Sequence, residues 1–133
     1  EGCLEGVLTL LGYFCLDNRE HQEVLRRGGP FPAILARLCD LPFRYFSEPR
    51  HRAVLLPTLM SICHANVGNR IAAEEELSSE FLAEFLEENL EAHAAAAATT
   101  TKGSQPTVAP PCDWRTLSLR FPLELWDDAI SFF

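Results

Sequence analysis

The stretch from Leu11 to Leu38, LGYFCLDNREHQEVLRRGGPFPAILARL, reads against a second stretch 47 positions on, Thr58 to Phe85, TLMSICHANVGNRIAAEEELSSEFLAEF. In this register Cys15 falls on Ile62, Gln22 on Asn69, Val24 on Ile71, Ile34 and Leu35 on Phe81 and Leu82, and Leu38 on Phe85. The offset lies at the upper end of the roughly 40–47-residue range of armadillo and HEAT repeats, whose units bury their apolar faces by stacking on neighbours. The first copy carries the finer pattern of an armadillo unit. An apolar helix ends at Asp17-Asn18, either of which can cap a new helix at its open N–H groups. Gly28-Gly29 permits a positive φ where a short helix stops, and Pro32 is tolerated in a first helical turn. The second copy has Glu75 and Glu76 near the Gly positions, so its turn is less marked. The fold class implied is all-α: an armadillo-like helical repeat, or α-solenoid, with HEAT-like stacking as the alternative and a C-terminal helical cap.

Working outward, the 133 residues are 47% apolar, enough to bury one core. Residues 2 to 16 are apolar nearly all round, as a helix sandwiched between neighbours should be. That helix opens without a capping signal and reads as cut from a longer chain. Short helices are expected at 19–27 and 31–41. A long helix is expected from about Ser47 to Asn66, capped by Ser47, with Pro49 in its first turn and a kink or break at Pro57. A short helix at 69–76 comes next, then Ser78 capping a helix over 79–92. In that helix Phe81, Leu82, Phe85, Leu86 and Leu90 form one stripe and Glu80, Glu84, Glu87, Glu88 and Glu91 the opposite one. The repeats thus occupy residues 1–92. Residues 93–112, rich in Ala, Thr and Pro, read as a flexible linker whose alanines can extend the preceding helix by a turn or two. Residues 113–133 read as short helices bearing Trp114, Leu117, Trp126 and Ile130 that fold back over the second unit, because a solenoid needs its end face covered.

The net charge of −8 divides along the chain. From Arg19 to Arg52 seven arginines face four acidic residues, a net +3, whereas Glu74 to Glu91 holds eight glutamates and no Lys or Arg, a net −8. One end is arginine-bearing and the other acidic. The five cysteines, Cys3, Cys15, Cys39, Cys63 and Cys112, are odd in number and widely spaced, and read as small buried hydrophobes in a reducing compartment. No paired-ligand spacing for zinc is present, so no metal and no cofactor is expected. No catalytic residue is assigned either. Cys63-His64 and the runs Glu74-Glu75-Glu76 and Asp127-Asp128 are sequence neighbours, and neighbours on a helix diverge by about 100°. No apolar run of about 18 residues could cross a bilayer.

Between the two units, Phe43, Tyr45 and Phe46 surround Arg44. Rings of this kind plug a groove between helices, or, exposed, form a stacking platform for RNA bases or a peptide. Alternation of ring and arginine does not choose between the two.

The segment Leu41-Pro42-Phe43-Arg44-Tyr45-Phe46-Ser47-Glu48-Pro49-Arg50 and the tail Arg120-Phe121-Pro122-x-x-x-Trp126-x-x-Ala129-x-x-Phe132-Phe133 resemble the C-terminal region of the SCAPER family, the S-phase cyclin A-associated proteins in the endoplasmic reticulum. Gly12-Tyr13-Phe14, Asn69 to Glu76 and Leu55-x-Pro57-x-Leu59 extend the resemblance along most of the chain. The Ala-rich linker departs from the family pattern, and no binding role is carried onto it. The resemblance implies a non-catalytic adaptor in the cytoplasm, at the cytosolic face of the endoplasmic reticulum. Its implied partners are the ribosome and a tetratricopeptide adaptor that recognises nascent tubulin. Through the full-length protein they extend to the CCR4-NOT deadenylase, for tubulin mRNA decay, and to cyclin A; no small-molecule substrate is implied. The alternative is a structural segment of a larger α-solenoid that mediates protein–protein contacts in cell-cycle regulation. Candidate residues facing RNA or a partner are Arg26, Arg27, Arg44, Arg50, Arg52 and Arg70, since guanidinium groups neutralise phosphate with release of counterions. If the solenoid binds nothing by itself, these arginines should instead pair internally with glutamates.

Overall fold

The computed structural model describes residues 2–99 and 114–133, which are all-helical with no strand among them. The helices are α1 (Gly2–Cys15), α2 (Arg19–Arg26), α3 (Ile34–Cys39), α4 (Arg44–Ser47), α5 (Pro49–Cys63), α6 (Val67–Glu74), α7 (Glu80–Thr99), α8 (Trp114–Arg120) and α9 (Trp126–Phe132), with a 3₁₀ turn at Leu123–Leu125.

Two turns of the chain share one backbone pattern. After α1 the chain turns through Asp17 at φ 49°, and after α5 through Ala65 at φ 56°. An asparagine comes next each time in extended conformation: Asn18 at φ −134°, ψ 95° and Asn66 at φ −127°, ψ 94°. Asn18 accepts from the His21 N–H and Asn66 from the Asn69 N–H, both at 3.1 Å, which satisfies one open donor of α2 and of α6. These equivalences run at 48 residues, not 47, and pair Cys15 with Cys63 rather than with Ile62. The 47-residue register returns further on, where buried Leu35, Leu38 and Cys39 answer to buried Leu82, Phe85 and Leu86. The second copy is one residue shorter between these points, across the loop that holds Gly28 and Gly29 in the first copy. An ungapped reading cannot show a deletion that small.

Gln22 and Asn69 nevertheless match in chemistry, because glutamine reaches one methylene further. Gln22 donates to the Cys15 carbonyl at 3.3 Å, and Asn69 donates to the Ile62 carbonyl at 2.8 Å. Both residues are buried and both tie helices together. Gln22 also donates to the Ser61 carbonyl at 2.9 Å, and Asn69 to the Gln22 carbonyl at 2.8 Å. Around them lies a core of Leu8, Leu25, Leu35, Leu55, Leu59, Met60, Leu82 and Leu86, all at most 2% exposed. Each side chain of that size contributes about 1.5–3 kcal/mol by leaving water. α1 lies along α5, and α5 is the most enclosed helix, buried continuously from Leu55 to Cys63.

Several boundaries differ from the sequence reading. Ser47 ends α4 rather than capping α5, its hydroxyl donating to the Phe43 carbonyl at 3.2 Å. α5 opens on Pro49 and runs through Pro57 without a break. α3 begins two residues after Pro32, so that proline precedes the helix. α7 continues through the alanines to Thr99; positions 100–113, which include Cys112 and the rest of the Ala/Thr/Pro-rich segment, lie outside the described residues.

The tail folds back in cis. α8 packs on α5 and α7, and α9 packs on α7. Phe121 and Trp126 are fully buried, with the indole N–H donating to the Phe121 carbonyl at 2.9 Å. Arg70 donates to the Phe132 carbonyl at 2.7 Å and Ser79 to that of Phe133 at 3.2 Å, fastening the chain end to the α6–α7 corner.

Candidate functional site

The six candidate arginines fall into two groups. Arg27, Arg44 and Arg50 are exposed. Arg27 and Arg50 keep 72% and 75% of their side chains in solvent even though each approaches a carboxylate: Glu23 at 3.2 Å and Glu5 at 3.5 Å. Pairs that open to water are worth about 0–1 kcal/mol, so these guanidinium groups can exchange partners at little cost. Arg44 and Arg50 flank the short α4–α5 turn, with the Arg44 guanidinium carbon 5.5 Å from the centroid of the Tyr45 ring.

Arg26, Arg52 and Arg70 do not join them. Arg26 is half-buried, its guanidinium group laid against Gly68 at the start of α6 where a side chain would otherwise stand. Arg52 bridges α5 to α7, 3.6 Å from Glu88 and 5.4 Å above the rings of both Phe81 and Phe85. Arg70 sits 3.7 Å from Glu74, lies over the Phe132 ring and holds the tail carbonyl. These three bind other helices of their own chain, which removes them from the candidate surface. The reason is positional: each stands where its helix meets another element, so the guanidinium group finds a ring, a carboxylate or a carbonyl before it finds solvent.

The rings around Arg44 do not form a stacking platform. Tyr45 is 2% exposed and belongs to the core, tilted on His51 with centroids 4.7 Å apart. Phe46 is half-buried against Phe81. Phe43 alone of the three projects, 79% exposed. A helical turn this short points successive side chains in different directions, so the three rings cannot share a face.

The groups that would carry chemistry are engaged elsewhere. Burial pushes the Cys15 and Cys39 thiols up to about 11, Cys39 also feeling Glu76. Burial raises the Cys63 thiol further still, so it is held protonated and inert beside His64. The His64 imidazole turns to Asp128 at 2.8 Å and packs edge-on against Phe121 and Phe132. Glu74, Glu75, Glu76 and Glu80 line an open groove at the α6–α7 turn, where Glu74 accepts from Ser79 at 2.6 Å and stands near Arg70. Among the described residues no His/Cys/Asp/Glu group is arranged to hold a metal, and no helix is long and apolar enough to cross a membrane.

Sequence reasoning missed Arg120. It is 7% exposed, donates to the Thr58 hydroxyl at 2.8 Å and to the Val54 carbonyl at 3.4 Å, and stands over the Tyr13 ring. Burial lowers its pKa, opposed by Tyr13. Gly12 makes room for it: a Cβ there would stand 2.9 Å from the Arg120 Nη2. Only the small residue at Gly12, within the family-like Gly12-Tyr13-Phe14, could have signalled this.

No family model matches the chain, and no solved structure matches it. Among curated proteins it is 34% identical over 139 residues to the human S phase cyclin A-associated protein in the endoplasmic reticulum. That alignment takes in 100% of this chain and 9% of the human protein, in its C-terminal region. Gly12, Tyr45, Phe121 and Trp126, which lie in the segments whose sequence resembles this family, are all buried by the fold. On that identity, along its whole length, the chain belongs to the family of the S phase cyclin A-associated protein in the endoplasmic reticulum.

Proposed function

We propose that this chain is a non-catalytic adaptor or scaffold module, an armadillo-like helical repeat closed at one end by its C-terminal helices. In this reading it docks on the ribosome and on a tetratricopeptide adaptor that recognises nascent tubulin, helping a longer protein recruit the CCR4-NOT deadenylase. It works at the cytosolic face of the endoplasmic reticulum and takes no cofactor or small-molecule substrate. The recurring turn, asparagine cap and buried amide of the two copies support the repeat. The observation that carries the docking role is the exposure of Arg27, Arg44, Arg50 and Phe43, all on the half of the chain that lacks the glutamate run. Such arginines suit RNA phosphate or an acidic protein surface.

The test is reversal of Arg44 and Arg50 together, to glutamate, in the full-length protein. Ribosome co-sedimentation should weaken and lose salt sensitivity while helicity holds. Unaltered sedimentation across the salt range would remove the ribosome-facing surface.

A second reading has its own support in the ion pairs Arg50–Glu5, Arg52–Glu88 and Arg70–Glu74. Arginines matched internally are the signature of a structural solenoid segment whose contacts are with protein, and the human relative's name points to cyclin A. Under this reading the double reversal leaves ribosomes untouched, and deletion of the segment reduces cyclin A co-purification.

A further inference from the structure

α1 has an outer face that is apolar and exposed. Cys3, Val7 and Leu10 succeed one another at helical spacing, none of them charged, and the face ends on the half-exposed rings of Tyr13, which Arg120 overlies, and Phe14, which stacks on His21. Val7 is 46% exposed, Leu10 69% and Phe14 46%. Leaving such side chains in water forfeits the burial that the rest of the fold depends on.

The repeat shows what kind of element belongs there. At the 48-residue offset, Val7, Leu10 and Phe14 correspond to Leu55, Thr58 and Ile62 of α5, each fully buried. α1 itself covers that side of α5. Thr58 donates to the Leu8 carbonyl at 2.6 Å, and Gly12 comes so near that a Cβ would stand 3.4 Å from the Thr58 Cα. Gly6 lies on the outer side of α1, and a Cβ there would meet nothing within 4 Å. A glycine inside a helix costs about 1 kcal/mol relative to alanine, and at Gly12 the close approach of α5 accounts for it. At Gly6 no such neighbour is present among the described residues.

Resting on the armadillo-like reading, we infer that the outer face of α1 docks the last helix of a further repeat unit from the same polypeptide. That helix lies on α1 as α1 lies on α5. A second copy of this chain stacked head to tail would have to lie on α7, where α8 and α9 already pack. The family has chain to supply such a unit, since the match takes in only 9% of the human protein.

The test places a thiol at the centre of the face, Leu10→Cys, with Cys3→Ser and Cys112→Ser. Maleimide labelling is then tracked by mass spectrometry in this 133-residue chain and in the full-length protein. In the short chain the new thiol labels promptly at every protein concentration, while Cys15 and Cys63 stay unlabelled, which certifies that α1 and α5 remain stacked. In the full-length protein it labels at least about tenfold more slowly, as for a group that reacts only on local opening. Val7→Asp, added there, restores the fast rate. Equal rates in the two proteins overturn the proposal. Protection in the short chain that grows with concentration assigns the face to a second copy, and protection independent of concentration assigns it to the chain's own residues; both overturn it. None of these readouts depends on Arg44 or Arg50, so failure of ribosome docking and failure of this inference are separable.

Discussion

Asn69 donates its side-chain amide to the main-chain carbonyl of Gln22 at 2.8 Å, so α6 is bonded to α2 through buried groups. The same amide reaches Ile62 at 2.8 Å, and Gln22 answers by donating to Ser61. Asn66 closes the set by donating to the Gln22 side-chain carbonyl at 3.3 Å. The carbonyls of Cys15, Ser61 and Ile62, at the C-terminal ends of α1 and α5, are satisfied in this way by two amide side chains, Gln22 and Asn69.

Asn69→Ala is therefore expected to destabilise the chain by about 2 kcal/mol, because two buried carbonyls lose their donor and a small void opens. Urea unfolding monitored by circular dichroism checks this. An unchanged midpoint would mean the amide is dispensable to the contact of α6 with α2 and α5.

Ala65→Gly should act in the opposite direction. Ala65 holds φ 56° on the surface, a conformation that costs a non-glycine residue about 1–2 kcal/mol. Glycine removes that strain and gives part of the gain back through the entropy of the unfolded chain. A net stabilisation of about 0.5–1 kcal/mol is the expected outcome, read as a higher midpoint at constant slope.

Thr58→Val keeps the shape and removes the hydroxyl that accepts from Arg120 and donates to Leu8. The loss is expected at about 1–3 kcal/mol, since a buried guanidinium group is left short of a partner. Arg120→Met, which removes the charge as well, should cost less than Thr58→Val. A double-mutant cycle should show the two sites coupled. Additive losses would place Arg120 outside the network.

Alkaline pH supplies a fourth test. Cys15 and Cys39 have folded-state pKa values raised from 9.0 to about 11 by burial. The protonated thiol is the form that fits the fold. This contribution is thus fully present below pH 9.0 and is lost as pH rises through the folded values near 11. Unfolding free energy should fall across that window, and Cys39→Ala should flatten the fall. A stability curve without slope there would show that the thiols ionise equally in both states.

The helices and the core stripes were legible because apolar spacing reflects the 3.6-residue turn directly, as with Leu35, Leu38, Leu82 and Phe85. Gln22 opposite Asn69 was visible as a match, but its meaning was not, since hydrogen bonds to distant carbonyls leave no trace in local spacing. The exposure of the arginines was half legible. Composition located the basic half of the chain, yet the partners of Arg52 and Arg70, Glu88 and the tail, lie far along the sequence and only folding brings them close. Burial of Tyr45 hung on the direction of one short helical turn, which composition does not encode. Arg120 escaped notice because a buried guanidinium group bonded to a hydroxyl and a carbonyl has no sequence signature.

With α8 and α9 seated on its apolar side, α7 turns Glu84, Glu87, Glu88 and Glu91 outward, remote in sequence from Arg27 and Arg50. The net charge of −8 is concentrated between Glu74 and Glu91, so long-range forces act on the protein chiefly through that side: cationic surfaces are drawn toward it and polyanions are held off.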